Sequence, residues 1–236
     1  PVADGGEGTV DALVIGTNGR YEEANVLGPL GEKIKAKYGI IHDDIAIIEM
    51  AAASGITLLK KEQLNPLLTT TFGTGQLIKD AMEKGIKKIY VGIGGSCTND
   101  GGVGMAQALG VSFKDELGSE VGFGGRELSR IKFIDVSNIN PLLKKTEIIV
   151  MSDVTNPLFG PNGAAYVFGP QKGASEKMVR VLDKNLKHLA ELIKRHLNIE
   201  VSDIPGSGAA GGLGAGMMAF CNARIESGIE KVLDIT

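Results

Sequence analysis

The sequence of 236 residues has few of the residues that mark several classes of protein. Its two cysteines, Cys97 and Cys221, lie far apart and form no CxxC pair, so neither a disulfide framework nor a cysteine-based zinc site is expected. Tryptophan is absent, and aromatic residues make up 5% of the chain. No apolar run approaches the ~18 residues of a membrane span, and no signal peptide is apparent. We therefore expect a cytoplasmic protein with no membrane partner.

An excess of either charge is also lacking. The 25 basic and 28 acidic residues are interspersed and give a net charge of −3. Nucleic-acid binding needs a basic face that offsets phosphate charge, so no nucleic-acid partner is expected. Small anionic ligands remain compatible with this composition, because backbone N–H groups bind phosphate without net positive charge.

Glycine, by contrast, is abundant, with 34 residues clustered between apolar runs. Such clusters are typical of tight functional turns. The chain is long enough for one large α/β domain or two small ones. It opens on Pro1 without a methionine, and residues 233–236 stop inside an apolar pattern, so we expect a fragment of a longer protein.

Hydrophobic periodicity predicts an α/β domain with a mixed sheet. Two strand-like runs flank the turn at 28–31 and predict a hairpin, whereas Ser175 is a candidate N-cap for a strongly amphipathic helix. The predicted strands are 23–27, 33–41, 45–49, 88–93 and 147–151; the other predicted helices are 74–84 and 103–109.

The strongest functional signal is the segment Gly92–Gly102, which follows a buried strand and precedes a helix. Ligands of open α/β sheets bind at this carboxyl end of a strand. Glycines let backbone N–H groups approach an anion, and Asp100 could accept a proton or hold a metal. Alternatively, Asp100 only caps the helix. The segment matches neither the P-loop pattern GxxxxGK[ST] nor the dinucleotide pattern GxGxxG.

A second polar segment begins at Ser152, directly after another predicted strand. Asp153 and Asn156 could coordinate Mg²⁺ through oxygen, although an Asx turn before Pro157 is the favoured interpretation of this pattern taken alone. Further along, Lys172 lies between glycine and proline residues and could contact an anion or be a solvated charge.

Two further glycine clusters leave their roles open. Asp4 and Glu7 precede a short predicted helix, where they either complement the helix dipole or hold a metal or a substrate hydroxyl. The cluster Gly206–Gly216 opens a predicted helix and could either cradle phosphates or permit close helix packing.

These segments, taken together and in their order, resemble the signature blocks of the type I glycerate kinase family. The blocks are 1–9, 92–102, 152–165 with 168–174, and 206–216, and a fifth lies at 65–75. Cys97 stands where the family usually has alanine. The resemblance covers essentially the whole chain, but the family's opening block and a later one are missing.

The resemblance implies ATP- and Mg²⁺-dependent phosphorylation of D-glycerate to phosphoglycerate, typically 2-phosphoglycerate. It also implies two α/β domains, one Rossmann- or flavodoxin-like and the other inserted into it, with residues 1–18 a remnant of the first and 19–236 the inserted domain. The resemblance thus predicts three roles for the site residues. They are Asp100 and Asn99 for catalysis; Gly94, Gly95, Ser96, Thr98, Lys172, Gly211 and Gly212 for ATP or substrate oxygens; and Asp153 and Glu7 for the metal.

Other readings stay open at this level. A nucleotide- or phosphometabolite-binding domain without turnover would need the same glycine-rich loops. A nicotinamide-linked oxidoreductase is disfavoured by the missing GxGxxG pattern. The sequence leaves open whether the protein is a monomer or a homodimer, and which loop holds ATP and which glycerate.

Overall fold

The computed structural model describes residues 6–227 and has the mixed α/β fold expected from the sequence. Asp4 and residues 233–236 lie outside this part of the chain. The strands are β1 (Arg20–Leu27), β2 (Lys33–Ile41), β3 (Ile45–Glu49), β4 (Lys88–Gly92), β5 (Ser112–Lys114), β6 (Phe133–Asp135), β7 (Glu147–Met151) and β8 (Arg224–Glu226). The α-helices are α1 (Thr9–Gly16), α2 (Ala51–Ser54), α3 (Phe72–Glu83), α4 (Val103–Ala108), α5 (Ala164–Phe168), α6 (Glu176–Leu197) and α7 (Ala209–Cys221).

Six of these strands form one mixed sheet in the order β1-β2-β3-β4-β7-β8. β1, β2 and β3 are antiparallel neighbours, whereas β3, β4, β7 and β8 run parallel. The predicted hairpin is confirmed, and the Gly28 N–H donates to the Glu32 carbonyl at 2.7 Å across its turn. In the parallel part, Glu49, Gly92 and Met151 are register partners. The segments that follow β3, β4 and β7 therefore start side by side at one edge.

Apolar residues on both faces of the sheet explain its position in the core. Ile47 and Ile48 are both fully buried but belong to different clusters, because successive side chains of a strand point to opposite faces. Ile48 packs in the cluster that holds Leu77 of α3 and Leu213 of α7. Ile47 packs in the cluster built on α1. The continuous apolar runs of β3 and β4 reflect this two-sided burial.

Helix α6, the longest described helix at 22 residues, organises a second core. The Ser175 side chain accepts a hydrogen bond from the Met178 N–H, so the predicted N-cap is confirmed. The predicted stripe is buried at Leu182, Leu186 and Leu189 and faces α5 and β6. No helix within residues 6–227 has both the length and the apolarity to cross a membrane.

Three details of the structure bear on the predictions. α3 begins at Phe72, two residues before the predicted start. α7 begins at Ala209, and its first turn contains Ala210, Gly211 and Gly212 in left-handed conformations, with φ of 52°, 69° and 88°. α1 packs on β2 and β3 of the main sheet. The boundary at residue 18 between two domains remains a prediction.

Candidate active site

The glycine-rich segment 93–102, called the central loop below, joins β4 to α4 at the carboxyl edge of the sheet. Gly95, Gly101 and Gly102 have φ of +71°, +61° and +76°, which side chains other than glycine rarely adopt. The loop is tied to the segment after β3, because the Ile56 N–H donates to the Gly95 carbonyl at 2.8 Å. The loop is thus a fixed element of the fold.

Asp100 belongs to the central loop, lines neither of the cavities described below and is 1% exposed. Its carboxylate accepts hydrogen bonds from the Thr71 N–H at 2.8 Å, the Gly102 N–H at 3.2 Å and the Gly104 N–H at 3.3 Å. The Thr71 hydroxyl adds another at 2.9 Å. Burial raises the pKa of Asp100, and these hydrogen bonds act in the opposite direction. The carboxylate ties the loop to the start of α3 and α4, an arrangement more typical of positioning than of the predicted general base.

The threonines before α3 are the supporting residues to which the sequence analysis assigned no role. The Thr69 hydroxyl donates to the Cys97 carbonyl at 2.8 Å, and the Thr71 hydroxyl also accepts from the Met105 N–H at 2.9 Å. The run of three consecutive threonines, all of them buried in the structure, is the sequence signal that could have identified them. Cys97 is buried, and burial raises the pKa of its thiol to about 12.

Lys172 contacts the same loop and is also 1% exposed, so it is not a solvated charge. Its Nζ donates to the Ser96 Oγ at 2.6 Å and to the Thr98 carbonyl at 2.7 Å. Both acceptors are neutral. Burial lowers the pKa of Lys172 to about 8, and the negative charge of Asp100 opposes this shift only in part. Nothing in the sequence indicated this burial or the contact with Ser96, and the predicted anion contact of Lys172 stays a prediction.

Thr98 and Asn99 are fully buried within the loop. The Thr98 Oγ1 and both polar side-chain atoms of Asn99 have no hydrogen-bond partner among the described residues. Buried polar atoms without a partner cost about 1–3 kcal/mol each. Neither residue lines the cavities described next.

Two adjoining cavities open in front of the central loop. The first, here called the basic cavity, has a volume of about 340 Å³ and is lined by Ile56, Ile93, Gly94, Gly95, Ser96, Val154, Phe168, Gln171, Lys172 and Ala210. The second, the acidic cavity, has about 250 Å³ and is lined by Gly6, Ile93, Gly94, Met151, Ser152, Asp153, Val154, Ala209 and Ala210. They share Ile93, Gly94, Val154 and Ala210 and so form one cleft.

Of the two predicted metal ligands, Asp153 lines this cleft, whereas Glu7 lines neither cavity and lies near Gly95. Asp153 lies in the acidic cavity, and its Oδ1 accepts a hydrogen bond from the Ser227 hydroxyl at 2.7 Å. The exposed Glu7 lies against Gly95 and accepts from the Thr57 hydroxyl at 2.9 Å. Asn156 instead donates to the Asn162 carbonyl of its own segment at 2.8 Å. Within residues 6–227, no group of three or more histidine, cysteine, aspartate or glutamate side chains could hold a metal.

The glycines of α7 lie against the central loop. A Cβ on Gly211 would stand 2.0 Å from the Thr98 carbonyl oxygen, and the Gly101 N–H donates to the Gly211 carbonyl at 3.0 Å. A Cβ on Gly212 would stand 3.0 Å from the Gly101 Cα. Of the two alternatives, close backbone packing is therefore the one that the geometry favours. Ala210 lines both cavities despite its left-handed backbone.

The structure thus separates the predicted residues into two groups. Gly94, Gly95, Ser96 and Lys172 line the basic cavity, with Asp153 in the adjoining one. Five of the predicted residues line neither cavity: Asp100, Asn99, Thr98, Gly211 and Gly212. The Asp100 carboxylate bonds to Thr71 and Gly102, and the two glycines pack against the loop. A cleft with an ammonium group at one end and a carboxylate at the other suits a ligand pair with anionic groups and a bound cation.

Comparison with protein families gives a match over the full chain. The model of the glycerate kinase family matches residues 1–236. A curated relative from Escherichia coli strain K12, named glycerate 2-kinase, is 56% identical over 233 residues, which are 98% of this chain and 61% of the relative. A glycerate kinase from Halalkalibacterium halodurans is 51% identical over 237 residues, 100% of this chain and 62% of the relative.

The fold also matches a solved structure. The crystal structure of a provisionally named glycerate kinase 2 from Salmonella typhimurium LT2 superposes with a TM-score of 0.97 at 50% identity. The match covers 100% of this chain and 63% of that protein. The chain therefore spans less than two thirds of the length of the relatives it matches.

Proposed function

Because this chain belongs to the glycerate kinase family, we propose that the full-length protein transfers the γ-phosphoryl group of ATP to D-glycerate. The product would be 2-phosphoglycerate, as the name of the Escherichia coli relative suggests. We further propose that the reaction occurs in the cytoplasm. The cleft around the central loop would be the place where the two substrates meet.

The observation that carries this proposal is the buried Lys172 in a glycine-lined cavity at the carboxyl edge of a parallel sheet. Phosphoryl transfer depends on positioning and on neutralising negative charge more than on covalent chemistry. Backbone N–H groups of the loop glycines and the Lys172 ammonium can bind and position the anionic groups of the two substrates. A rigid loop keeps these donors in place when the substrates bind.

Asp100 would act in this reaction as a positioning residue. Its carboxylate oxygens already accept hydrogen bonds from Thr71, Gly102 and Gly104, and its side chain lies outside both cavities. A general base must come within hydrogen-bond reach of the proton that it removes. Asp100 instead fixes the shape of the loop that carries Ser96, Thr98 and Asn99.

Mg²⁺ would be held at the acidic cavity. Asp153 supplies a carboxylate there, and one or two carboxylates are enough because nucleotide phosphates and water complete the Mg²⁺ coordination. Glu7, which lies near Gly95, is the second candidate ligand. When bound, Mg²⁺ neutralises charge that develops on the phosphate oxygens.

The test is a screen of the full-length protein with ATP and a panel of small hydroxy acids, monitored by coupled ADP release. We expect turnover with D-glycerate and little with glycerol or lactate, and ³¹P and ¹³C NMR should place the phosphate on the 2-hydroxyl. ATP and glycerate binding without turnover would indicate a binding protein and would overturn the proposal. Phosphate on the 3-hydroxyl would correct only the position.

A further inference from the structure

The cleft carries opposite charges at its two ends. Lys172 and Ser96 lie at the end of the basic cavity, and Asp153 lies in the acidic cavity. The two cavities join at Gly94 and Ala210. Both substrates carry negative charge, but one end of the cleft presents an ammonium group and the other a carboxylate. This difference determines which substrate each end would bind.

We propose, building on the proposed function, that the basic cavity binds the carboxylate of the hydroxy acid through Lys172 and Ser96, and that the metal-bound nucleotide phosphates occupy the acidic cavity. Lys172 would therefore determine that the acceptor is an acid, and the same fold would reject an uncharged polyol at this position.

The first argument is the unsatisfied state of the Lys172 ammonium. Two of its three N–H donors are used, on the Ser96 hydroxyl and the Thr98 carbonyl, which leaves one for a ligand. Among the described residues, no carboxylate is bonded to it. A buried cation whose bonded acceptors are all neutral is costly, and an anionic ligand relieves that cost.

The second argument is the lining of the basic cavity. Four apolar residues, Ile56, Ile93, Val154 and Phe168, suit the short carbon chain of a three-carbon acid, and Ile56 and Phe168 line this cavity alone. A strongly hydrated metal–triphosphate would lose more hydration at such a surface than it would recover from one lysine. The acidic cavity, in contrast, offers the Asp153 carboxylate, which attracts the metal that accompanies the phosphates.

The third argument is that binding of a carboxylate should be coupled to protonation of Lys172. The titratable groups around Lys172 are Cys97 and Asp100 of the central loop, with Glu7 facing Gly95 from the other side. The thiol stays neutral below pH 9, because burial raises the pKa of Cys97 to about 12. Burial lowers the pKa of Lys172 to about 8, so a carboxylate that binds there above pH 8 must draw a proton onto the amine.

The main test is calorimetric binding to the full-length protein with Lys172→Met and the matched control Lys187→Met, whose lysine is exposed on α6. D-glycerate should bind Lys172→Met about 30-fold or more weakly, while Mg²⁺ with adenylyl imidodiphosphate keeps its affinity within about twofold. The control should change neither. Loss of nucleotide binding with glycerate unchanged would reverse the assignment, and loss of both in a folded variant, or of neither, would overturn it.

A second measurement needs no variant and so covers a failure of Lys172→Met to fold. At pH 9, D-glycerate binding to the unaltered protein should take up close to one proton, as measured in two buffers of different ionisation enthalpy. Glycerol should not bind measurably. Proton uptake with the nucleotide instead, or with neither ligand, would overturn the inference.

Failure of the proposed function would look different. The protein would then not turn over glycerate, yet another small carboxylate such as lactate would still depend on Lys172 for binding. Failure of this inference alone would leave glycerate turnover intact, with normal glycerate binding in Lys172→Met.

Discussion

Two charged side chains, Asp100 and Lys172, are buried at the central loop, and they differ in their hydrogen-bond partners. Asp100 accepts hydrogen bonds from three backbone N–H groups and a hydroxyl. Lys172 has two neutral acceptors and a cavity beside it. Depth of burial is the same for both residues, at 1% exposed. Burial is therefore the same for the two charges, and they differ in the number and kind of their hydrogen-bond partners.

The largest effect on this comparison should come from Asp100→Ala. The substitution leaves buried N–H groups of Thr71, Gly102 and Gly104 without an acceptor, and we expect the free energy of unfolding to fall by about 3–5 kcal/mol. Urea denaturation of the full-length protein measures this. Asp135→Ala, which removes one exposed hydrogen bond to the Ser137 N–H, should cost less than about 1 kcal/mol. A stable Asp100→Ala variant with lost turnover would instead make Asp100 a catalytic base.

Gly211→Ala should have the second largest effect on stability, because the new side chain would push α7 away from the central loop. The new Cβ would stand 2.0 Å from the Thr98 carbonyl oxygen at a φ of +69°. We expect a loss of about 3 kcal/mol, from overpacking together with left-handed strain. Gly118→Ala is the matched control, because its φ is +78° but nothing lies within 4 Å of its Cβ. Its cost should be the strain alone, about 1–2 kcal/mol. Equal melting temperatures for the two variants would contradict the close packing.

The pH dependence of stability tests whether Lys172 is buried without a bonded carboxylate, in contrast to the well-satisfied Asp100. Burial lowers the pKa of Lys172 from 10.5 to about 8, so between these values the unfolded chain holds a proton that the folded protein has released. Stability conferred by the neutral amine therefore rises with pH in this window. Relative to Lys172→Met, the unaltered protein should gain up to about 3 kcal/mol between pH 7 and pH 10. A difference that stays constant with pH would mean that Lys172 keeps an ordinary pKa.

Ser96→Ala should have the smallest effect. It removes one of the two acceptors of the Lys172 ammonium, at 2.6 Å, without changing its burial. Stability should change by about 1 kcal/mol or less, while the KM for glycerate rises several-fold and the KM for ATP does not. Steady-state kinetics beside a melting curve separates the two effects, with Ser129→Ala as a control at an exposed site. An unchanged KM for glycerate would mean that Ser96 and Lys172 have a structural role and do not bind glycerate.

Much of the fold could be predicted from the sequence, because local patterns determine it. Two-sided burial of β4 and β7 gives continuous apolar runs, the Gly28–Gly31 turn marks the hairpin, and Ser175 caps α6. The position of the central loop followed from the same pattern, since glycines and polar residues come directly after a buried strand.

The interior of the site could not be predicted in the same way. Whether Asp100 faces a ligand or Thr71 depends on a segment 29 residues earlier in the chain. The burial of Lys172 depends on Ser96, which lies 76 residues away. The left-handed Ala210 has no local signal at all, because alanine normally avoids that conformation. Residue types were therefore sufficient to select the candidates, but which of them line a cavity depends on tertiary contacts.

These same sequence separations set an order of assembly for the loop. The contacts of Asp100 join residues only 29 apart, whereas the Lys172 contact closes 76 residues and waits for the segment before α6. Loop closure costs more entropy as the enclosed chain lengthens, and contacts distant in sequence form more slowly. During synthesis, we therefore expect the contacts of Asp100 to form before Lys172 is available, so that a nascent chain carries a shaped loop before its ammonium group can join it.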